Sequence, residues 1–150
     1  AVVLGSGGAA RAVVKCLADK GVGELYLVTR KPEVVDAGFK QMFPALEIIS
    51  YDELKQLKGD VLINCTPVGM YPKVDASPIG AEVSAAFAAS VDLIYNPAET
   101  MFLRQARLAG KQSVNGLFML VAQAVAAQEL WQGQQYDSEL IIRIMEKLQV

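Results

Sequence analysis

The sequence predicts an α/β fold: a doubly wound parallel sheet with helices on both faces, three layers in all. Short apolar runs alternate with segments of helical period along the chain, the pattern of repeated strand–helix units. The runs (AVVL, ELYLVT, VLINC) are apolar at nearly every position, as expected of strands covered on both faces. The first run empties into Gly5-Ser6-Gly7-Gly8 and then a helical segment, so a glycine turn joins the first strand to the first helix.

Ala1–Leu4 reads as the first strand. Ala9–Lys20 follows a helical period, with Ala9, Ala12, Val13, Cys16 and Leu17 on one face. Lys20 suits the last turn and Gly21 the position after it. Glu24–Thr29 is the second strand, which closes a strand–helix–strand unit within about 30 residues. Val34–Phe43 reads as a helix ended by Pro44, and Leu46–Ser50 as the third strand. Ser50-Tyr51-Asp52-Glu53 fits a capping box for a helix through Leu57. Val61–Cys65 is the fourth strand and Thr66–Gly80 a loop rich in Pro and Gly. Val91–Ile94 is the fifth strand. Asn96-Pro97 opens a helix to Ala109, and Lys111–Val114 is a short sixth strand. Gly116–Gln132 is a long helix. Asp137-Ser138 caps a last helix, Glu139–Leu148.

Composition narrows the function classes. One domain is expected from 150 residues, enough to bury roughly 70% of the surface exposed when unfolded. Hydrophobic residues at 53% and charged residues at 20% exclude disorder. A net charge of −2 gives no basic surface for nucleic acid or an anionic membrane. With no histidine, the commonest general base and metal ligand are both missing, and no metal site is expected. Cys16 and Cys65 are in no metal or redox spacing and read as buried, reduced thiols of a cytoplasmic protein. No secretory or transit leader is visible. Val114–Leu130, interrupted by Asn115, Gln123 and Gln128, reads as a buried or amphipathic helix rather than a membrane span.

Five segments carry chemistry. Gly5-Ser6-Gly7-Gly8-Ala9-Ala10 is a G-x-G-x-x-A turn. Gly5 permits the turn, Gly7 lets backbone approach a pyrophosphate, and Ala10 keeps helix and sheet close. The helix N-terminus behind it favours phosphate; the alternative is a glycine turn without a ligand. Thr29-Arg30-Lys31 ends the second strand, where a dinucleotide's adenosine ribose lies. Two cations there, in place of a carboxylate, favour NADP over NAD, although Glu33 and Asp36 follow closely. Asn64-Cys65-Thr66-Pro67-Val68-Gly69-Met70 lies at the carboxyl end of the fourth strand, where a cofactor loop is expected. Asp92-Leu93-Ile94-Tyr95-Asn96-Pro97 ends the fifth strand and places Tyr95 where functional side chains collect. Gly116–Gln123 sets Gln123 in an apolar helix, either satisfied internally or facing a polar cleft. Phe118 and Met119 read as core.

These segments together resemble the NADP-binding, C-terminal half of the shikimate dehydrogenases. The resemblance rests on GSGGAARA (Gly5–Ala12), NCTPVGM (Asn64–Met70), DLIYNPAET (Asp92–Thr100), FLRQARLAG (Phe102–Gly110) and NGLFMLVAQ (Asn115–Gln123). It implies a Rossmann-like domain over residues 1–150 and NADP(H)-dependent interconversion of 3-dehydroshikimate and shikimate. It implies that Gly5, Ser6, Gly7, Gly8 and Ala9 hold the pyrophosphate. Thr29, Arg30 and Lys31 stand where the family has Asn-Arg-Thr for the 2′-phosphate. Asn64, Cys65, Thr66 and Pro67 form the cofactor loop. Leu93 and Gly116 meet the nicotinamide end through backbone, and Met119 packs beside it. Tyr95 and Gln123 reach substrate, which moves Gln123 from a structural to a functional reading.

The family's substrate domain, with its catalytic Lys and Asp, lies upstream of the glycine turn. None of the nine lysines here falls in a matching motif, so no catalytic residue is assigned. The expectation is a cofactor half that binds NADP(H), shares shikimate with a missing domain and is inactive alone. The two last helices (116–132 and 139–148) are expected to pack toward that domain. A stripe of Ile141, Ile142, Met145 and Leu148 favours a homodimer if exposed, and packing on this domain's own sheet is the alternative. A quinate-using paralogue and a non-catalytic nucleotide sensor are the competing readings.

Overall fold

A computed structural model describes residues 1–148; residues 149 and 150, the end of the expected domain, lie outside them. Six strands form one parallel sheet: β1 (Val2–Leu4), β2 (Leu25–Val28), β3 (Leu46–Ile49), β4 (Gly59–Asn64), β5 (Phe87–Asp92) and β6 (Gln112–Val114). Their order is β3-β2-β1-β4-β5-β6, the doubly wound arrangement with its switch point between β1 and β4. The register Val2↔Tyr26 and Val2↔Leu62 pairs β1 on both sides, and all three of its residues are buried, so the strand that feeds the glycine turn is fully enclosed. The helices are α1 (Gly8–Asp19), α2 (Ala37–Met42), α3 (Tyr51–Leu54), α4 (Ala81–Ala85), α5 (Met101–Leu108), α6 (Leu117–Gln132) and α7 (Glu139–Leu148).

Strand alternation sorts the core into two clusters. Val2, Leu4, Val28 and Leu62 face one side with Leu54, Val83, Phe87, Phe102 and Leu103, from α3, α4, β5 and α5. Val3, Leu25, Leu27 and Ile63 face the other with Ala10, Val14, Phe39 and Phe43. Each fully buried Leu or Phe contributes about 1.5–3 kcal/mol. Apolar residues at successive positions are thus explained by two covered faces.

Several expected boundaries and faces are corrected. On α1 the buried stripe is Ala10 and Val14, with Val13 and Leu17 half-buried, while Ala9, Ala12 and Cys16 are exposed. The two stripes lie one residue apart, and the sheet takes the one with the larger side chains. Cys16 is therefore not a core thiol. The single helix expected over 34–43 is a 3-10 turn, Pro32–Val34, followed by α2. Asp36 breaks it by capping: its carboxylate accepts from Phe39 N–H at 3.1 Å. The strand expected at 91–94 spans 87–92 instead; its Ala-rich start has no strand signature but pairs with β4 from Gly59 onward. It stops at Asp92 because the carboxylate takes the Ile94 N–H at 3.0 Å. The helix expected from Asn96 starts at Met101, where Thr100 Oγ1 accepts from Leu103 N–H at 3.3 Å. Residues 81–85, unassigned by sequence, form α4.

The capping box at Ser50 is present, and α6 and α7 lie within a residue of their expected spans. α7 turns Leu140, Ile144 and Leu148 toward a groove shared with Leu120, Val121, Val125 and Tyr136. The expected stripe is split, since Ile142 is exposed while Ile141 and Met145 are half-buried. Only Val121 and Val125 of α6 are buried. No described helix is long and apolar enough to cross a membrane.

Candidate functional site

The site is built on the carboxyl ends of the strands beside the β1/β4 switch point, where open α/β sheets bind ligands. β1 delivers the chain into Gly5, whose φ is +97°, a conformation that L side chains avoid. A Cβ on Gly5 would also lie 3.0 Å from Thr66 Cγ2, so the fold itself requires glycine here. Gly5 N–H donates to Val28 O at 2.8 Å and ties the turn to β2.

Gly7 and Gly8 are different. A Cβ on either would meet no protein atom within 4 Å. The protein leaves this space open directly before α1, which has no side-chain N-cap and no acidic residue in its first turn. The first N–H groups of a helix have no partner of their own and carry the positive end of its dipole. The arrangement suits a pyrophosphate approaching along backbone. Ala10 is fully buried and lets α1 sit close to the sheet.

Two cavities open along this edge. One, of about 660 Å³, is lined by Gly5, Ser6, Gly7, Thr29, Arg30, Tyr51, Cys65, Thr66, Pro67, Val68, Ser77 and Pro78. The other, of about 420 Å³, is lined by Cys65, Thr66, Pro67, Met70, Tyr71, Leu93, Ile94, Tyr95 and Asn96. Cys65, Thr66 and Pro67 belong to both. Together they make a trough from the end of β2 to the end of β5, across the switch point where open α/β sheets bind dinucleotides.

The walls of the second cavity are fastened by a buried polar network. Asn64 Oδ1 accepts from Thr66 N–H at 3.0 Å and from Thr66 Oγ1 at 2.7 Å. Its amide donates to Asp92 Oδ1 at 3.0 Å. Asp92 also accepts from Ile94 N–H at 3.0 Å and, through Oδ2, from Thr100 Oγ1 at 2.6 Å. One carboxylate therefore holds the loop after β4, the turn after β5 and the cap of α5. Asn64, Asp92 and Thr100 are all buried. Burial pushes the Asp92 carboxyl above its ordinary value, against three donors that favour its charge. Burial, reinforced by the Asp92 charge, pushes the Cys65 thiol up to about 12, so Cys65 stays a protonated, unreactive wall residue at neutral pH.

The structure brings together Gly5, Ser6, Gly7, Thr29, Arg30, Cys65, Thr66, Pro67, Leu93 and Tyr95. Gly8 and Ala9 lie exposed beside the trough in the first turn of α1. Asn64 supports the loop from beneath, and Lys31 is exposed and lines neither cavity. Gly116 N–H donates to Ile94 O at 3.0 Å, and a Cβ on Gly116 would fall 2.0 Å from Leu93 O. Its requirement for glycine is thus the close approach of α6 to the β5 turn. Met119 and Gln123 are exposed on α6 and line neither cavity. Met119 and Phe118 are accordingly not core residues. Asp36, which stood against the NADP reading, is engaged elsewhere: it caps α2 and pairs with Arg11 at 3.6 Å.

No family model matches the chain. Shikimate dehydrogenase (NADP(+)) of Clostridium beijerinckii is 44% identical over 140 residues, 93% of this chain and 51% of that protein. The chain belongs with the shikimate dehydrogenases. It spans about half the length of the curated shikimate dehydrogenases it matches. A chorismate mutase/shikimate 5-dehydrogenase fusion protein from Clostridium acetobutylicum superposes with a TM-score of 0.90 at 52% identity, over 98% of this chain and 53% of that one. A Thermus thermophilus shikimate 5-dehydrogenase in complex with shikimate gives 0.75 at 31% identity, over 98% and 53%.

Sequence reasoning missed Tyr51, Ser77 and Pro78 in the first cavity and Tyr71 in the second, whereas Val68, Met70, Ile94 and Asn96 fall within the two strand-end segments it singled out. Tyr51 had a usable signal: it follows the capping residue at the carboxyl end of β3, one strand outside Arg30. Ser77 and Pro78 had none, because a loop of this length carries no periodicity to place them.

Proposed function

We propose that this chain is the cofactor-binding half of an NADP-dependent shikimate dehydrogenase, acting in aromatic amino-acid biosynthesis. The observation that carries the reading is the single trough of two cavities joined at Cys65–Pro67, with an open glycine turn at one point and Arg30 at one end. Gly5, Ser6, Gly7, Gly8 and Ala9 hold the pyrophosphate with backbone N–H groups and the α1 dipole. Thr29, Arg30 and Lys31 meet the 2′-phosphate, Arg30 through its planar fork. Thr66, Pro67 and Cys65 shape the passage to the nicotinamide end, with Asn64 holding the loop. Leu93 offers backbone there, Gly116 allows α6 to close on it, and Met119 packs beside it. When bound, NADP(H) supplies or accepts the hydride. The protein's task is to fix its orientation and exclude water.

Tyr95, half exposed at 49%, and Gln123, exposed on α6, are the substrate-facing groups for shikimate or 3-dehydroshikimate. The acid–base pair of the family is expected in a second domain that shares this cleft, and the exposed polar groups fit a half-built site. The two free cysteines fit a reducing compartment, the cytoplasm. The exposed apolar residues of α6 and α7 fit packing against that second domain, or a homodimer.

Shikimate-dependent reduction of NADP(+) tests the reading, measured for the chain alone and for a protein joining it to the remaining half of a curated relative. The expected result is no turnover from the chain alone and clear turnover from the joined protein. Turnover by the chain alone, with contaminating enzyme excluded, would overturn the division of labour.

A further inference from the structure

Given the proposed NADP(H) site, each part of the cofactor has a place along the trough except the adenine. The glycine turn takes the pyrophosphate, and the Leu93–Asn96 end faces β5. The opposite end lies over β2 and the edge strand β3, and it is lined there by Thr29, Arg30 and Tyr51. Tyr51 is the first residue of α3, and the capping box around it ties that turn down. Ser50 Oγ accepts from Glu53 N–H at 3.3 Å, and Glu53 Oε2 accepts from Ser50 N–H at 2.7 Å. The ring is half-buried and packs on the core cluster that contains Leu4, Val28 and Leu54. Arg30 is close enough for its charge to act on the phenol, although burial dominates and keeps the hydroxyl protonated. Ser77 and Pro78 line the same cavity from the loop after β4, and the Ser77 hydroxyl is engaged with Gln105 Oε1 at 3.1 Å. This end therefore offers one guanidinium and one fixed aromatic face.

We propose that Tyr51 is the purine-binding residue of this chain, its ring stacking the adenine while Arg30 holds the neighbouring 2′-phosphate. Every base has a π-face, and an anchored aromatic ring binds one without a specific hydrogen-bond pattern. The inference rests on the NADP(H) reading, and the test separates the two.

Adenosine 2′,5′-bisphosphate, which carries the purine and the 2′-phosphate but no nicotinamide, is titrated calorimetrically into the wild-type chain, Tyr51→Leu and Tyr51→Phe. Leu keeps apolar bulk against the core but has no ring. Binding on the order of tenfold weaker is expected for Tyr51→Leu, with recovery of most of the affinity in Tyr51→Phe. Equal affinity in all three proteins overturns the proposal. So does a Tyr51→Phe as weak as Tyr51→Leu, which would assign the contact to the hydroxyl. If Tyr51→Leu does not fold, Tyr51→Met carries the same comparison. Failure of the wild type to bind NADPH in a parallel titration would instead defeat the cofactor reading.

Discussion

Gly5 and Gly7 are two residues apart and are glycine for different reasons. Gly5 has a positive φ and touches Thr66, so Gly5→Ala is expected to destabilise the fold by about 1–3 kcal/mol, read from denaturant unfolding. Gly7 has open space where a Cβ would go. Gly7→Val is expected to leave unfolding within error of wild type while sharply weakening NADPH in calorimetry, because its branch would fill the pyrophosphate's approach. A Gly7→Val protein that binds as tightly as wild type would remove the phosphate from this turn. The two thiols separate in the same way. Cys16 is exposed on α1, whereas Cys65 is held up to about 12 by burial and the Asp92 charge. Iodoacetamide at neutral pH is expected to label Cys16 and spare Cys65, as checked by peptide mass spectrometry. Rapid labelling of Cys65 would contradict its placement as a shielded wall of both cavities.

At the scale of elements, Asp92 is the fastener. Asp92→Asn places an amide where Ile94 N–H and Thr100 Oγ1 both donate, and a cost of about 1–3 kcal/mol is expected for the unmatched buried group. The acid dependence has a definite sign. Burial raises the folded pKa above the ordinary 3.8, so the folded chain holds this proton more tightly than the unfolded chain. The resulting stability is fully present below 3.8 and is lost as pH rises through the folded value. Denaturant unfolding at stepped pH should show that downward slope in the wild type and not in Asp92→Asn. This network also marks the limit of what could be read from the residues. Element order and the G-x-G-x-x-A turn were legible because period and turn chemistry are local. The ends of β5 and α5 were not, since they are decided by an Asp92 carboxylate that reaches Ile94, Thr100 and Asn64 across 28 positions. The α1 face failed for a related reason: two apolar stripes lay side by side, and only the sheet beneath selects one. Cys65 and Arg30 were legible because each follows the carboxyl end of a strand with a clear apolar run, where ligands of open α/β sheets lie. Tyr51 was legible as a cap neighbour but not as a cavity wall.

For the whole molecule, the sheet core is enclosed while the C-terminal helices are not. Leu130 is 84% exposed and Trp131 77%, both at the end of α6, and Phe118 and Met119 open its start. Such a surface favours association. Sedimentation velocity is expected to show weight-average mass rising with concentration, and Trp131→Gln to reduce that rise. A chain monomeric at all concentrations would leave these residues as ordinary surface. The central claim concerns the other edge of the sheet, where the switch point, the open turn and Arg30 meet in one trough. It is tested most directly by calorimetric titration of the 150-residue chain with NADPH and with NADH, repeated for Arg30→Ala. The account predicts that the wild type binds NADPH on the order of tenfold or more tightly than NADH, and that Arg30→Ala brings the two together. Equal affinity for both in the wild type, or no binding of either, would contradict it.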